Sequence, residues 1–222
     1  MGLSHSPKIV TSGLVYTIDA ANSKSYPGSG SNWTDLISQS NNTLTNSPAY
    51  SSANGGSILF DGTNDYVLGS TQLSVNYSSF TVTAWAKHTA AIIDAKMVSF
   101  SAADYTKVIF MQTYLTNFRI CDEFGCSVGT AVINDGFWKM YTMVGDGTSI
   151  RGYINDNATP DITKAANSRI ISETPMIGAT FIGASPAYFF NGNMSAVSIY
   201  NRALSTSEIK QNFNAYRGRY SV

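Results

Sequence analysis

Hydrophobic and polar residues alternate with a period of two through most of the chain, and the alternating runs are bounded by Gly, Asn, Asp and Ser. The cleanest run is Phe80 to Lys87. Phe80, Val82, Ala84 and Ala86 fall on one side, and Thr81, Thr83, Trp85 and Lys87 on the other. Successive strand residues point to opposite faces of a sheet, so this pattern predicts a strand with one buried face. The same reading predicts strands over 14–19, 57–60, 65–68, 96–100, 107–113, 117–121, 137–144, 149–154, 176–182 and 193–200. Turns fall at Asp61-Gly62-Thr63-Asn64, Gly145-Asp146-Gly147-Thr148 and Asn155-Asp156-Asn157, where Gly, Asn and Asp tolerate the positive φ of tight hairpins. The polar stretch 28–48 reads as a long surface excursion, tucked onto the body by Trp33 and Leu36.

One helix stands out near the C-terminus. Ser205-Thr206-Ser207-Glu208 is a capping box, in which the Ser hydroxyl accepts from the Glu amide while the Glu side chain reaches back. Ile209, Phe213 and Tyr216 follow at helical spacing, and the helix is expected as a lid on the sandwich edge. About a dozen short strands and one terminal helix predict an all-β, antiparallel sandwich. The expected organisation is an N-terminal arm over 1–12 and one domain over 13–222.

Composition sharpens this picture. The 222 residues carry 14 basic and 14 acidic side chains, and only 13% are charged, about half the usual share. Ser (29), Thr (21) and Asn (18) dominate, and Glu totals only 3, which disfavours helical surfaces. A net charge of zero argues against nucleic-acid binding, which rests on neutralising phosphates. No apolar run approaches the roughly 18 residues of a membrane span. The opening residues Met1 to Lys8 contain no apolar signal region, so synthesis in a cytoplasm, or a mature fragment, is expected. Cys121 and Cys126 frame a four-residue loop suited to a hairpin, so their sulfurs could meet as a disulfide or stay reduced, according to compartment.

Several motifs, in order, carry a family resemblance. The run 13–22 (GLVYTIDAAN), the run 57–67 (SILFDGTNDYV) and the run 80–85 (FTVTAW) resemble modules of the concanavalin A-like lectin/glucanase superfamily, of the laminin G and pentraxin type. So do the paired runs 138–144 (WKMYTMV) and 152–155 (GYIN). The closing run 190–205 (FNGNMSAVSIYNRALS), followed by Glu208-Ile209, is the most specific. Together they cover nearly the whole chain. The resemblance implies a jelly-roll sandwich, and this dialect is similar to modules in tailed-phage virion proteins and bacterial surface proteins. Fold does not fix function.

The glucanase branch of that superfamily carries a Glu-x-Asp-x-x-Glu run, because retaining hydrolysis needs two carboxylates about 5 Å apart. That run is absent, and Glu123, Glu173 and Glu208 fall in a turn, a loop and a helix cap. No enzymatic activity is expected. Asp61, Asn64 and Asp65 offer carboxylate and amide oxygens within five residues and are candidate calcium ligands; the alternative is that they simply build the turn. Trp85, Tyr141 and Tyr153 are candidate saccharide-stacking residues on a shared sheet face, against the alternative, preferred for Trp85, that they are core.

The functional expectation is a non-enzymatic phage virion protein, a capsid decoration or accessory protein at the virion surface after synthesis in the host cytoplasm. Its partners would be capsid or tail proteins, further copies of itself, and host or environmental glycans. The alternative is a carbohydrate-binding adhesin, and behind it a glycan hydrolase. A surface with few charges and 13 Tyr suits docking through polar and aromatic contacts.

Overall fold

The computed structural model describes residues 8–102, 107–167 and 169–222. In chain order the first strands are β1 (Leu14–Asp19), β2 (Asn32–Thr34), β3 (Asn41–Thr45), β4 (Ala49–Ser51), β5 (Ser57–Asp61), β6 (Tyr66–Leu68), β7 (Leu73–Asn76), β8 (Phe80–Lys87), β9 (Lys96–Ser101) and β10 (Val108–Tyr114). Then come β11 (Asn117–Asp122), β12 (Gly125–Val132), β13 (Lys139–Gly145), β14 (Ser149–Ile154), β15 (Ile162–Ala165), β16 (Ile170–Glu173), β17 (Met176–Ile177), β18 (Thr180–Ile182), β19 (Ser185–Ala187) and β20 (Asn191–Tyr200). The helix α1 (Thr206–Tyr220) follows.

Two antiparallel sheets form a sandwich. The first runs β15-β14-β13-β8-β20-β5-β4, and the free half of β20 pairs with β1. The second runs β12-β11-β10-β9-β17-β6-β3-β2. The alternation of β8 is realised: Phe80, Val82, Ala84 and Ala86 enter the core between the sheets, where Tyr16, Phe60, Phe100, Met111, Phe118, Tyr141 and Val197 meet them. Fully burying such a side chain contributes roughly 1.5–3 kcal/mol, so this layer dominates the fold's stability. At one side the two sheets are stitched together by Asp161, whose carboxylate accepts from the amides of Thr130 and Ala131 on β12.

Three expectations need correction. The stretch 28–48 is not a plain excursion, because it supplies β2 and β3, which extend the second sheet from β6 with Trp33 fully buried. The expected strand 176–182 is broken at Gly178, whose φ of +83° turns the chain out of the second sheet. The helix is not an edge lid. It lies across the outer face of the first sheet, where Ile209, Phe213 and Tyr220 cover Trp85, Met140, Tyr153 and Tyr200.

The N-terminal arm is outside the described residues as far as residue 7. Beyond that, Lys8 to Ser12 run against α1: the Val10 amide donates to Asn212 Oδ1 at 2.8 Å, and its carbonyl accepts from the Tyr200 hydroxyl at 3.0 Å.

The capping box forms as expected. The Glu208 amide donates to Ser205 Oγ, and the Glu208 carboxylate accepts from the Ser205 amide at 2.9 Å. That carboxylate also takes both arms of Arg202, at 2.6 and 2.9 Å, while Arg202 Nε holds the Ser12 carbonyl. The Arg202 bond, with the Ser205 bonds behind it, holds the Glu208 pKa down from 4.5 to about 2. A depressed folded-state pKa stabilises above the unfolded value and loses that contribution as pH falls through the folded one. The corner is therefore expected to contribute fully above about pH 5 and to lose its contribution between 4.5 and 2. Urea midpoints at pH 6 and pH 2.5 should separate more for the native chain than for Glu208→Gln. Equal separations would remove this assignment.

Candidate functional site

The outer face of the second sheet is not covered by the helix. It carries the hairpin β18–β19, whose two-residue turn begins at Gly183 with φ +59°. Ser99 Oγ donates to the Ala179 carbonyl at 2.8 Å, the Lys96 amide donates to the Tyr188 carbonyl at 3.0 Å, and Phe181 meets Tyr66 edge-on at 6.5 Å. These contacts pin the hairpin across the face and leave a cleft of about 300 Å³ on each side. One is lined by Ser99, Ser101, Glu173, Thr180 and Phe181. The other is lined by Asp94, Lys96, Phe110, Arg119, Tyr188 and the tip of the β11–β12 hairpin.

Register builds the second cleft. Gln112 on β10 lies opposite Lys96 on β9 and Arg119 on β11, so the three project to the same outer side. In the next outward row Phe110 is opposite Ser99 and Cys121, and Cys121 is opposite Cys126. Those sulfurs are 2.00 Å apart as a disulfide. Arg119 is held from three sides: its guanidinium pairs with Asp94 at 2.7 Å, Nε reaches Cys121 Sγ at 3.2 Å, and its plane lies 4.3 Å from the centre of Tyr114. Gln112 donates to Asp94 Oδ1 at 3.1 Å, while its own Oε1 is buried and unpartnered.

Lys96 is the unusual member. Its side chain is only 3% exposed, and its ammonium lies over Phe110 at 4.6 Å and Tyr188 at 4.5 Å. Burial pushes its pKa from 10.5 down to about 8, with Asp94 opposing and Arg119 reinforcing that shift. Two cation–π contacts contribute up to about 2 kcal/mol each when desolvated. Taking an ammonium out of water costs several. The site therefore holds a cation that its protein surroundings do not fully compensate.

The hairpin tip is fixed by ion pairs. Asp122 pairs with Lys164 at 2.8 Å and Glu123 with Arg169 at 3.3 Å. The Tyr77 hydroxyl lies within hydrogen-bond distance of the Val108 carbonyl and of Glu123, and burial beside that carboxylate raises its pKa. The cleft thus combines an exposed aromatic ring (Tyr188, 41% exposed), an unpartnered amide oxygen and fixed charges on rigid strands. That is the equipment for binding a polar ligand that also presents an apolar face.

A sequence model of the concanavalin A-like lectin/glucanase superfamily, of the laminin G type, matches residues 61–210. The chain belongs to this superfamily. Among curated proteins no sequence matches it. Solved structures do. Domain 4 of an extracellular arabinanase from Geobacillus stearothermophilus, solved with arabinotriose, is similar with a TM-score of 0.70 and 17% identity, covering 90% of this chain and 97% of that domain. A Trypanosoma rangeli sialidase in complex with sialic acid gives 0.69 at 14% identity, covering 96% of this chain but 35% of the sialidase. The receptor-binding domain of botulinum neurotoxin type G gives 0.63 at 12%, covering 91% of this chain and 51% of that one. At these identities the likeness is one of fold.

Within this concanavalin A-like sandwich the disulfide pair Cys121–Cys126 lines the cleft, whereas the candidate stacking and calcium residues lie away from it. Trp85 and Tyr153 do share the outer face of the first sheet, but both are buried under α1. Tyr141 faces the opposite way, opposite Ala84 and 5.3 Å from Phe118 in the inter-sheet core. The three form no exposed platform, because one is core and two are roofed by the helix. Asp61, Asn64 and Asp65 stay together in the loop after β5. Asp61 Oδ1 accepts from the amides of Thr63 and Asn64, at 2.7 and 3.1 Å, and Asp65 Oδ2 accepts from the Asp61 amide. The Thr63 amide, first among these bonds, holds the Asp61 carboxyl below its ordinary range, while burial raises that of Asp65. The loop's carboxylates therefore serve the turn. Among the described residues no group of three or more His, Cys, Asp or Glu is arranged to hold a metal.

Proposed function

We propose that this chain is a non-catalytic carbohydrate-binding module whose ligand lies in the cleft between the β18–β19 hairpin and the disulfide-bonded tip. The observation that carries this reading is the exposed Tyr188 ring against the buried Lys96 ammonium, at one end of an outward-facing polar row, Lys96–Gln112–Arg119, on the sheet face that α1 leaves open. A ring face suits the apolar side of a sugar, and the polar row suits its hydroxyls. The arabinanase domain solved with arabinotriose supports it by analogy of fold. Binding without hydrolysis fits the local charges. Asp94, Asp122 and Glu123 are each ion-paired, whereas glycoside hydrolysis requires one carboxyl kept protonated as the acid.

From the likeness of its sequence dialect to modules of tailed-phage virion proteins, we further propose that such a module acts on a phage virion, as a decoration or accessory protein at the particle surface. A capsid decoration that also grips glycans satisfies both readings. One experiment addresses the two. Tyr188→Ala is expected to weaken oligosaccharide binding on a glycan array and in titration by tenfold or more, while its unfolding free energy in urea falls by no more than about 2 kcal/mol, that of one desolvated cation–π contact, so that the domain stays folded. A featureless array for the native chain would remove the glycan reading. Failure of the native chain to co-sediment with matching capsids lacking it would remove the virion placement.

A further inference from the structure

The cleft's charges are unequally partnered. Arg119 is paired with Asp94, Lys164 with Asp122 and Arg169 with Glu123. Among the described residues, no ion pair engages Lys96, although it is the most deeply buried of these cations. Asp94 is near enough to influence it, but Asp94 Oδ1 is already taken by Arg119 and Gln112. The cleft is lined by two cations, Lys96 and Arg119, and three carboxylates, Asp94, Asp122 and Glu123; each carboxylate has its own cation, Lys164 and Arg169 reaching in from outside the lining, so among the described residues Lys96 is the cation of this cluster left without a carboxylate. Ring faces satisfy part of an ammonium's field but give its three N–H donors no oxygen acceptor.

We propose that this cleft selects saccharides bearing an anionic group, a carboxylate or a sulfate, and that the anion docks on the Lys96 ammonium. The proposal rests on the glycan-binding reading above and narrows its ligand class. The protein side is already prepared. The ammonium is desolvated before the ligand arrives, and the rings of Phe110 and Tyr188 hold it in place. An incoming anion gains a charge-assisted hydrogen bond, roughly twice as strong as a neutral one, and removes an uncompensated buried charge. A neutral sugar gains neither. The pairing partner Asp94 keeps Arg119 from competing for the anion, which makes Lys96 the specificity residue and Arg119 a positioning residue.

Titration calorimetry at low salt tests this with three probes of equal length: a neutral galactose oligosaccharide, a galacturonic acid oligosaccharide and a sulfated galactose oligosaccharide. The native chain is expected to bind at least one anionic probe tenfold or more tighter than the neutral one, and the two anionic arms identify which group fits. Lys96→Met should abolish the preference, and Lys96→Arg should restore part of it. The native chain alone gives a second readout. Asp94, Arg119 and the Tyr188 ring face Lys96, and the preference should fade as pH rises from 7 to 9.5 and the ammonium deprotonates. Equal binding of neutral and anionic probes, lost together in Tyr188→Ala, would overturn the charge selection and leave the glycan reading intact. No binding of any probe would overturn both.

Discussion

Trp85→Ala is expected to cost at least about 3 kcal/mol of folding stability, toward the lower end of the 3–5 kcal/mol range for emptying a large aromatic site. The indole is 2% exposed and sandwiched beneath α1, stacked on Tyr220 at 4.5 Å and on Phe213 at 5.5 Å, with Tyr216 edge-on at 6.4 Å. Alanine leaves a void between two rigid layers, a sheet and a helix, and neither can close over it without losing its own contacts. The loss spreads beyond the ring. Tyr220 also packs on Trp138 at 4.6 Å, whose indole N–H donates to Asn54, and Asn54 in turn holds the carbonyl of Arg219. One contribution runs the other way: Trp85 Nε1 is buried without a partner, so truncation also removes an unsatisfied donor. Trp85→Phe keeps most of the stacking and should recover most of the loss. Urea unfolding measures both variants. At temperatures where Trp85→Ala stays folded, its saccharide affinity should equal that of the native chain. A variant of native stability with lost affinity would reinstate Trp85 as a binding platform.

That residue also shows how far the sequence could be read. Alternation in β8 assigned Trp85 to the side opposite Phe80 and Val82, and the structure agrees. What roofs that side is an element more than 100 residues later, and a period of two carries no information about it. Tyr141 was invisible for a related reason. Its face depends on register against Ala84, and a one-residue slip reverses every side chain. The helix was legible because a capping box is local chemistry. The strands β2 and β3 were not, because Asn32-Trp33-Thr34 and Asn41-Asn42-Thr43 contain residues with weak strand preference that pair only because Trp33 is drawn into the core. The cleft had one usable signal. Lys96 and Arg119 are charges set inside otherwise apolar strands, beside Met97-Val98 and between Phe118 and Ile120. A charge there is either an error of assignment or a reason for the strand's outer face to exist.

Asp35→Ala is the second large loss, expected at about 3–4 kcal/mol, and it acts where the sequence suggested only a surface loop. Asp35 is 1% exposed. Its Oδ1 accepts from the amides of Thr17 at 2.8 Å and Ile37 at 3.1 Å, and its Oδ2 accepts from the Ser38 amide at 3.0 Å and the Ser38 hydroxyl. Bonds to a charged acceptor contribute about 1.5–3 kcal/mol each, and a buried donor left unpaired costs about 1–3 kcal/mol. Ile37 and Ser38 reach solvent, so water replaces the carboxylate for them at small cost. The Thr17 amide sits in β1, facing the protein, and has no such replacement. The knot also fixes the path of the chain: the Leu36 amide donates to the Thr17 carbonyl at 2.8 Å, which ties the loop between β2 and β3 to β1. Releasing it loosens the edge that Trp33 anchors. Asp35→Asn separates shape from charge, because an amide keeps one acceptor but turns an N–H₂ toward a donor it cannot pair, so its loss should be intermediate. Hydrogen exchange supplies the local readout: the Thr17 amide should lose protection in both variants before global unfolding, whereas amides in β8 and β13 should not. Unchanged Thr17 protection together with a native urea midpoint in Asp35→Ala would show that the carboxylate does not hold this edge.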